Sequence, residues 1–386
     1  MAVRDSEQLA ASINSDLAAI GHPMCVAASE AGGGLGLFAT RAIASGERVL
    51  IERPLIVAPR EDTRAFICAT CLADSRFGAR ASRMANGLQA RWPRRCKGCN
   101  TLRFCSAACE AQLERQHRRS CECAALAAIA REERAMQQPV VSAAASDMLA
   151  TAIRMLADRH AATCAESYAG FTASFQDYAR RLVSADRPAA QPLMEEAVHA
   201  ALRFVPGDAR IPADALLDAI SCHDANVVGV VGRGGVDGSR ASFVGCLHLC
   251  NHSCAPNLAF DCMPLPSAAP EDAPSWDSPT PSFALVSLRP ISAGEELCIS
   301  YVSTDSEKAE RQALLRSRFA FECKCPRCLS DETTDLAIGE SMAAGRCTHA
   351  DCGTGHAVFA DPTDPSGKHW RCVHCGRLDT LEPATV

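Results

Sequence analysis

Positive charge is not in excess in this chain. It carries 39 Lys and Arg against 45 Asp and Glu, a net charge of -6, so its overall field does not draw it to nucleic acid. Long apolar runs are missing too: nothing approaches the roughly 20 residues of a membrane span, and no membrane association is expected. Residues 1–20 are polar and helix-like, with Arg4, Asp5, Glu7 and Asp16 breaking any apolar stretch, so no secretory signal segment is expected there. No internal repeat is visible. At 386 residues and 48% hydrophobic content, the chain can build two or three units around a sizeable core.

What the chain does have is cysteine, 23 of them. They fall in short Cys-x-x-Cys and related pairs, with His117, His349 and His374 among them. With no signal segment, that pattern points to a reducing compartment, nucleus or cytoplasm, and to thiolate ligands for zinc rather than a disulfide framework. Cys68-x2-Cys71 and Cys96-x2-Cys99 are followed by Cys105-x3-Cys109 and His117-x3-Cys121. These make two closed tetrahedral sets. The alternating order suggests a cross-brace, with Cys68, Cys71, Cys105 and Cys109 on one ion and Cys96, Cys99, His117 and Cys121 on the other. The stretch between the first two pairs carries Arg76, Arg80, Arg83, Arg91, Arg94 and Arg95. It reads as a solvated basic loop, since a nucleic-acid surface would interleave aromatics for stacking.

Residues 31–54 combine Gly32, Gly33, Gly34 and Gly36 with strand-like alternation, which suggests a tight turn but no dinucleotide fingerprint, because no helix follows. From Cys123 to about Ala225 the chain is alanine-rich and helical, with Met148, Leu149, Ala152, Ile153 and Leu156 at helix spacing. Breaks at Pro139, Pro188 and Pro206-Gly207 predict about four helices. Strands follow from Asn226. A Pro-, Ser- and Asp-rich loop, 263–282, is expected between strands over 258–260 and 283–288, exposed and mobile. Asn251 to Asn257 reads N-H-S-C-A-P-N, 294–301 reads G-E-E-L-C-I-S-Y, and Phe321-x-Cys323-x-Cys325-x2-Cys328 closes this half. Those three cysteines leave a zinc site one ligand short, and Cys254 is the candidate fourth. Cys347-x4-Cys352 with Cys372-x2-Cys375 forms a zinc-ribbon pattern around strand-like segments at 357–360 and Trp370.

Taken in order over residues 31–328, these motifs resemble the SET- and MYND-domain (SMYD) lysine methyltransferase family, and the ribbon resembles its arthropod-type subgroup. The resemblance implies an α+β SET fold: small curved β-sheets with a knot-like crossing, an inserted MYND zinc module, a helical insert, a post-SET zinc and the ribbon. It divides the chain into a leader (1–30), a SET N-terminal part (31–67), the MYND finger (68–121), a helical insert (122–225), the SET C-terminal core (226–303), a post-SET region (304–330) and the ribbon (331–386). No C-terminal helical-repeat domain is expected.

The resemblance further implies S-adenosylmethionine as methyl donor and about four structural zinc ions. By matching position, Gly34, Gly36, Asn226, Asn251 and His252 would bind the cofactor. Tyr301 would be the active-site tyrosine and line the cofactor site, and of Phe319 and Phe321 one would stack on adenine. Cys254, Cys323, Cys325 and Cys328 would hold the post-SET zinc. Some positions depart from the family. His248 and Cys250 stand where small or aliphatic residues are usual, Phe319 replaces a frequent tyrosine in the lysine channel, and the stretch between Cys71 and Cys96 is longer than is common.

The expected activity is methylation of lysine on a histone or another protein, with proline-rich peptides as partners of the MYND module. The alternative is a zinc-built interaction protein with a silent SET part, acting as a transcriptional co-regulator. A DNA-binding factor has only the basic loop in its favour.

Overall fold

A computed structural model describes residues 3–19, 21–30, 34–52, 54, 56–75, 91–159, 191–207, 211–231, 237–242, 246–263, 282–344, 357–359, 369–372 and 378–380. Helix α1 (Val3–Ala19) leads into β1 (Met24–Ser29), β2 (Gly34–Ala39), β3 (Arg48–Glu52) and β4 (Ile56–Pro59). The finger holds β5 (Arg94–Arg95), β6 (Arg103–Phe104) and α2 (Ala107–Arg119). Helices α3 (Glu122–Met136), α4 (Ala143–Arg159), α5 (Gln191–Phe204) and α6 (Ala213–Asn226) form the helical unit. Then come β7 (Val227–Val231), β8 (Asp237–Ser242), β9 (Asn251–His252), β10 (Leu258–Met263), β11 (Ser282–Ser287) and β12 (Glu296–Ile299). The chain continues through α7 (Lys308–Phe319), α8 (Pro326–Leu329), α9 (Glu332–Ala344), β13 (Ala357–Phe359), β14 (His369–Cys372) and β15 (Leu378–Thr380).

Three small sheets make the central body, in the orders β1-β2-β12-β9, β10-β11-β3 and β4-β8-β7. Their inner faces share one core that includes Leu37, Leu50, Leu258, Phe283, Leu285, Leu297 and Ile299. Side chains alternate across a strand, and on β12 this sends Leu297 and Ile299 into that core while Glu296 and Cys298 stay half-buried on the other face. Helix α1 buries Ile13 and Leu17 against the same core. Its Asn14 amide exchanges two hydrogen bonds with the Val26 backbone, at 2.9 and 2.7 Å, which fixes the helix against β1.

The helical unit has its own core of Leu149, Ile153, Leu156, Leu216 and Ile220, interleaved with Ala145, Ala152, Ala197 and Ala219. Small residues at these contacts let the helices approach closely. The breaks at Pro139 and Pro206-Gly207 separate helices as the sequence suggests; Pro188 lies outside the described residues. No described helix is long and apolar enough to cross a membrane.

Several expectations shift. Gly34 and Gly36 lie within strand β2 rather than in the turn before it. Asn226 is the last residue of α6 and the strand begins at Val227. Strands β10 and β11 pair in register from Leu258↔Ser287 to Met263↔Ser282, so β10 runs to the edge of the Pro- and Ser-rich loop, whose residues 264–281 lie outside the described residues. So do 76–90 of the basic loop. At the C-terminal end, β13, β14 and β15 form a three-stranded antiparallel sheet with Cys372 buried on β14; Cys347, Cys352 and Cys375 lie outside the described residues.

Candidate functional site

The N-H-S-C segment and the strand of G-E-E-L-C-I-S-Y meet side by side. Strand β9 runs parallel to β12, with Asn251 opposite Cys298 and His252 opposite Ile299. The end of the motif clamps the pair. Asn257 donates from Nδ2 to the Glu296 carbonyl at 2.8 Å and to Glu295 Oε1 at 3.1 Å, and its Oδ1 accepts from Cys298 N at 2.8 Å. An amide with both donors and its acceptor occupied, 3% exposed, is a fixed joint rather than a binding group.

On the other side, β12 pairs antiparallel with β2 through Glu296↔Phe38 and Leu297↔Leu37. This brings Gly36, Asn251 and Glu296 together. Asn251 Nδ2 donates to Glu296 Oε1 at 2.7 Å and to the Leu35 carbonyl at 3.2 Å. A Cβ on Gly36 would collide with Glu296 Oε1 and sit 2.8 Å from Asn251 Nδ2, whereas one on Gly34 would meet nothing within 4 Å. Of the two glycines, Gly36 is therefore required by close approach of side chains.

Tyr301 follows β12 and closes an aromatic corner. Its ring lies 5.0 Å from Phe319, 5.3 Å from His252 and 6.4 Å, edge-on, from Phe321, all offset or tilted contacts favoured by ring quadrupoles. Its hydroxyl donates to the Cys250 carbonyl at 2.7 Å. The tyrosine's backbone N–H donates to His252 Nδ1 at 3.0 Å. That bond leaves the imidazole hydrogen on Nε2, which faces Cys254 Sγ at 3.2 Å. Burial holds the His252 pKa down at about 4, so the ring is neutral at pH 7 and both its nitrogens are committed within the protein. Burial also pushes the Cys250 thiol well up, and Cys298 to about 12 with help from Glu296; both stay protonated beside the site. Of the departures, Cys250 is buried in the core and Phe319 packs its ring tilted against Tyr301.

Behind this corner, Cys254, Cys323, Cys325 and Cys328 bring four sulfurs within 4.8 Å of one another, the set expected from the sequence. Gln312 on α7 holds the Cys323 peptide by both its N–H and its carbonyl, at 3.0 and 2.8 Å. Arg311 reaches Cys328 Sγ at 4.0 Å, and Arg327 donates to the Cys254 carbonyl at 3.1 Å. Both guanidiniums are buried and share Asp335 on α9.

The finger supplies two more clusters. Cys68, Cys71, Cys105 and Cys109 gather as expected, their ligand atoms within 4.8 Å. Ser106 caps α2 by accepting from Cys109 N at 3.2 Å, which sets Cys109 on the first turn. Leu72 and Asn100 follow the two Cys-x2-Cys pairs with φ of 58° and 62°, the left-handed turn that folds each knuckle back.

In the other cluster the fourth thiol differs from the expected one. Cys96, Cys99 and His117 are joined by Cys123, not Cys121. Cys121 occupies the left-handed N-cap of α3, at φ 64°, where the chain turns between α2 and α3. Two residues on, Cys123 projects its sulfur to 3.7 Å from Cys96 Sγ, and a Cβ on Gly98 would lie 2.5 Å from it.

Burial opposes the Cys99 thiolate, yet bonds from His117 and the Leu102 and Thr101 amides bring its pKa to about 6. His117 faces Cys99 with Nε2 at 3.4 Å and Glu122 with Nδ1 at 2.6 Å. Glu122 in turn receives Arg154 on both oxygens, at 2.6 and 2.7 Å, and Arg154 reaches the Val57 carbonyl of β4 at 2.7 Å. Of the other expected site residues, the Asn226 side chain and three of the four ribbon cysteines lie outside the described residues.

Comparison with known proteins agrees with this arrangement. The SET domain family profile matches residues 34–302. The chain is 24% identical over 322 residues to the histone-lysine N-methyltransferase SMYD3 of Mus musculus, covering 80% of this chain and 62% of that protein. It is 23% identical to the histone-lysine N-methyltransferase ASHR1 of Arabidopsis thaliana, covering 90% of this chain and 63% of that protein. A shorter match, 31% identical over 107 residues, is to the protein-lysine N-trimethyltransferase SMYD5 of Gallus gallus, covering 26% of this chain and 22% of that protein. The chain belongs to the SET domain family, and SMYD lysine methyltransferases are among its relatives. It spans less than two thirds of the length of SMYD3 and ASHR1.

Proposed function

We propose that this chain is a protein-lysine N-methyltransferase that takes its methyl group from S-adenosylmethionine, acting on a histone or another protein. The observation that carries the reading is the convergence of Asn251, Tyr301, Phe319 and Phe321 on the two paired segments β9 and β12. The kinship with SMYD3 and ASHR1, both named as histone-lysine N-methyltransferases, supports it.

When bound, S-adenosylmethionine supplies a methyl group activated by a positively charged sulfur. The chain's own residues do the rest. Free lysine has a pKa of about 10.4, and the aromatic corner of Tyr301, Phe319 and Phe321 would favour the uncharged amine by excluding water. Alignment of the amine against the methyl is then the main source of rate. Tyr301 contributes through its oxygen. Its hydrogen is already given to the Cys250 carbonyl, so lone pairs are left to face the positive charge moving through the reaction.

The three described clusters would hold zinc. Four soft donors within 4.8 Å of one another, almost all sulfur, suit a closed tetrahedral structural ion. Zinc would tie Cys254 to the segment carrying Phe321 and so brace the aromatic corner, with no part in the methyl transfer.

The test is calorimetry with S-adenosylmethionine on zinc-replete protein, followed by a lysine-substrate screen with Tyr301→Phe as control. The expected result is micromolar binding lost in Asn251→Ala, and turnover reduced on the order of 10²-fold in Tyr301→Phe, with a far smaller loss of stability, about 1 kcal/mol for the hydroxyl's bond to the Cys250 carbonyl. No binding by the wild-type protein would overturn the enzyme reading and leave an interaction protein, with the finger as peptide-binding module.

A further inference from the structure

The proposed cofactor site contains a charged side chain, Glu296, to which neither sequence nor kinship gives a role. We propose, resting on the function above, that Glu296 is a positioning residue for the ammonium end of S-adenosylmethionine. Its carboxylate holds the Asn251 amide with Oδ1 turned outward as an acceptor, and its charge favours a cation there.

The orientation of that amide follows from its partners. Nδ2 lies 2.7 Å from Glu296 Oε1 and 3.2 Å from the Leu35 carbonyl. Both partners are acceptors, so the flipped amide would set oxygen against oxygen. Oδ1 is thereby placed at the opposite corner, and among the described residues no protein hydrogen bond is made to it. The arrangement is built into the strand order. β12 lies between β2, which carries Gly36, and β9, which carries Asn251. Side-chain alternation turns Glu296 to the half-buried face shared with Asn251, away from Leu297.

Gly36 belongs to the same unit. An added Cβ there would collide with the Glu296 carboxylate and come to 2.8 Å from Asn251 Nδ2 and 3.1 Å from Ser29 Cβ. The glycine makes room for a carboxylate and an amide, which is a different requirement from backbone approach by a cofactor.

Charge completes the argument. Among the described residues no Lys, Arg or His forms an ion pair with Glu296, whereas its neighbour Glu295 is paired with Arg289. A half-buried carboxylate without a cation among the described residues, next to an amide oxygen that no described residue bonds, selects a positively charged hydrogen-bond donor. The amino-acid end of S-adenosylmethionine offers one in its ammonium group. A carboxylate would be repelled at this corner, and a neutral donor would gain the hydrogen bond without the charge.

Calorimetry with two ligands tests this: S-adenosylmethionine and its deaminated analogue, in which hydrogen replaces the amino group. Glu296→Ala should weaken the cofactor about tenfold or more, the loss expected of a charge-assisted contact, and weaken the analogue no more than about twofold. Glu296→Gln keeps the acceptor but drops the charge, and should restore only part of the affinity, leaving a severalfold loss for S-adenosylmethionine. In turnover the Ala variant should raise KM for S-adenosylmethionine with little change in kcat.

Equal losses for both ligands, or none for either, would overturn the proposal while leaving the proposed function standing. Failure of the wild-type protein to bind S-adenosylmethionine would overturn that function, and this role with it. Should Glu296→Ala not fold, Glu296→Gln decides: a severalfold loss confined to the amino-bearing ligand supports the role, and an equal effect on both refutes it.

Discussion

The finger cluster with His117 and the post-SET cluster with Cys254 solve one problem with opposite charges. Cys96, Cys99 and Cys123 with a neutral imidazole would leave one negative charge around a divalent ion. Its outer contact is acidic: Glu122 takes the Nδ1 side of His117. Four thiolates at Cys254, Cys323, Cys325 and Cys328 would leave two, and the outer contacts there are the cations Arg311 and Arg327. Each outer layer then meets an opposite charge, Glu122 that of Arg154 and the two guanidiniums together that of Asp335. Ligand type sets the sign of the next layer: an imidazole presents a ring N–H that takes an acceptor, whereas thiolates take donors. The two also differ in what they brace. The Glu122–Arg154 pair fastens the finger to α4 and, through Val57, to the central body. The Asp335 pairs fasten the wall behind Tyr301, Phe319 and Phe321.

The sharpest way to break this comparison is to remove each central carboxylate. Glu122→Ala leaves Arg154, 1% exposed, as an unpaired buried charge and should cost about 3–5 kcal/mol, read as denaturant midpoint by circular dichroism. Folded protein should keep its affinity for S-adenosylmethionine, because that pair braces nothing near Asn251. Asp335→Ala should cost a similar amount, since it leaves Arg311 and Arg327 buried with only carbonyl bonds, as Glu122→Ala leaves Arg154. It should in addition weaken cofactor affinity and turnover together. If the two variants give the same profile, the division of labour is wrong. Next in size is the choice of thiol. Cys123→Ser should lower bound metal by one ion per chain, measured by elemental analysis, while Cys121→Ser should leave the metal content intact.

That last pair also marks where the sequence is legible and where it is not. Spacing identifies the motifs because ligands at a knuckle must be close in sequence. The Cys68 set and the Cys254 set, the latter joined from far apart in the chain, are both gathered in the structure. Spacing cannot decide between Cys121 and Cys123, because that choice depends on where α3 begins and on the left-handed turn at Cys121. Gly98 was a usable signal: a glycine inside Cys96-x2-Cys99 marks a place where another group comes close. Glu296 was hidden for a related reason. Within G-E-E-L the two acids look alike, and only the strand phase separates Glu295, paired with Arg289, from Glu296, turned toward Asn251. Arg154, Arg311, Arg327 and Asp335 were invisible because charged residues are rarely buried, and nothing local to them announces a partner so far along the chain.

The smallest effect concerns the joint between the two paired segments. Glu295 receives Arg289 at 2.5 Å and Asn257 Nδ2 at 3.1 Å. Burial disfavours its carboxylate, but Arg289, the Ser292 amide and Asn257 outweigh that and hold its pKa below the usual value. A carboxylate with a lowered folded pKa adds stability that is complete above its unfolded pKa, about 4.3, and is lost as the pH falls through the folded value. The Arg289 side chain is half exposed, so solvent screening limits the contribution to less than about 1 kcal/mol. Glu295→Gln should therefore be slightly less stable than wild type at pH 7, with the gap closing as the pH falls below about 4. A gap that stays constant from pH 7 to pH 3 would mean that Glu295 acts through its shape alone, with its charge adding nothing to the clamp on the crossing of β9 and β12.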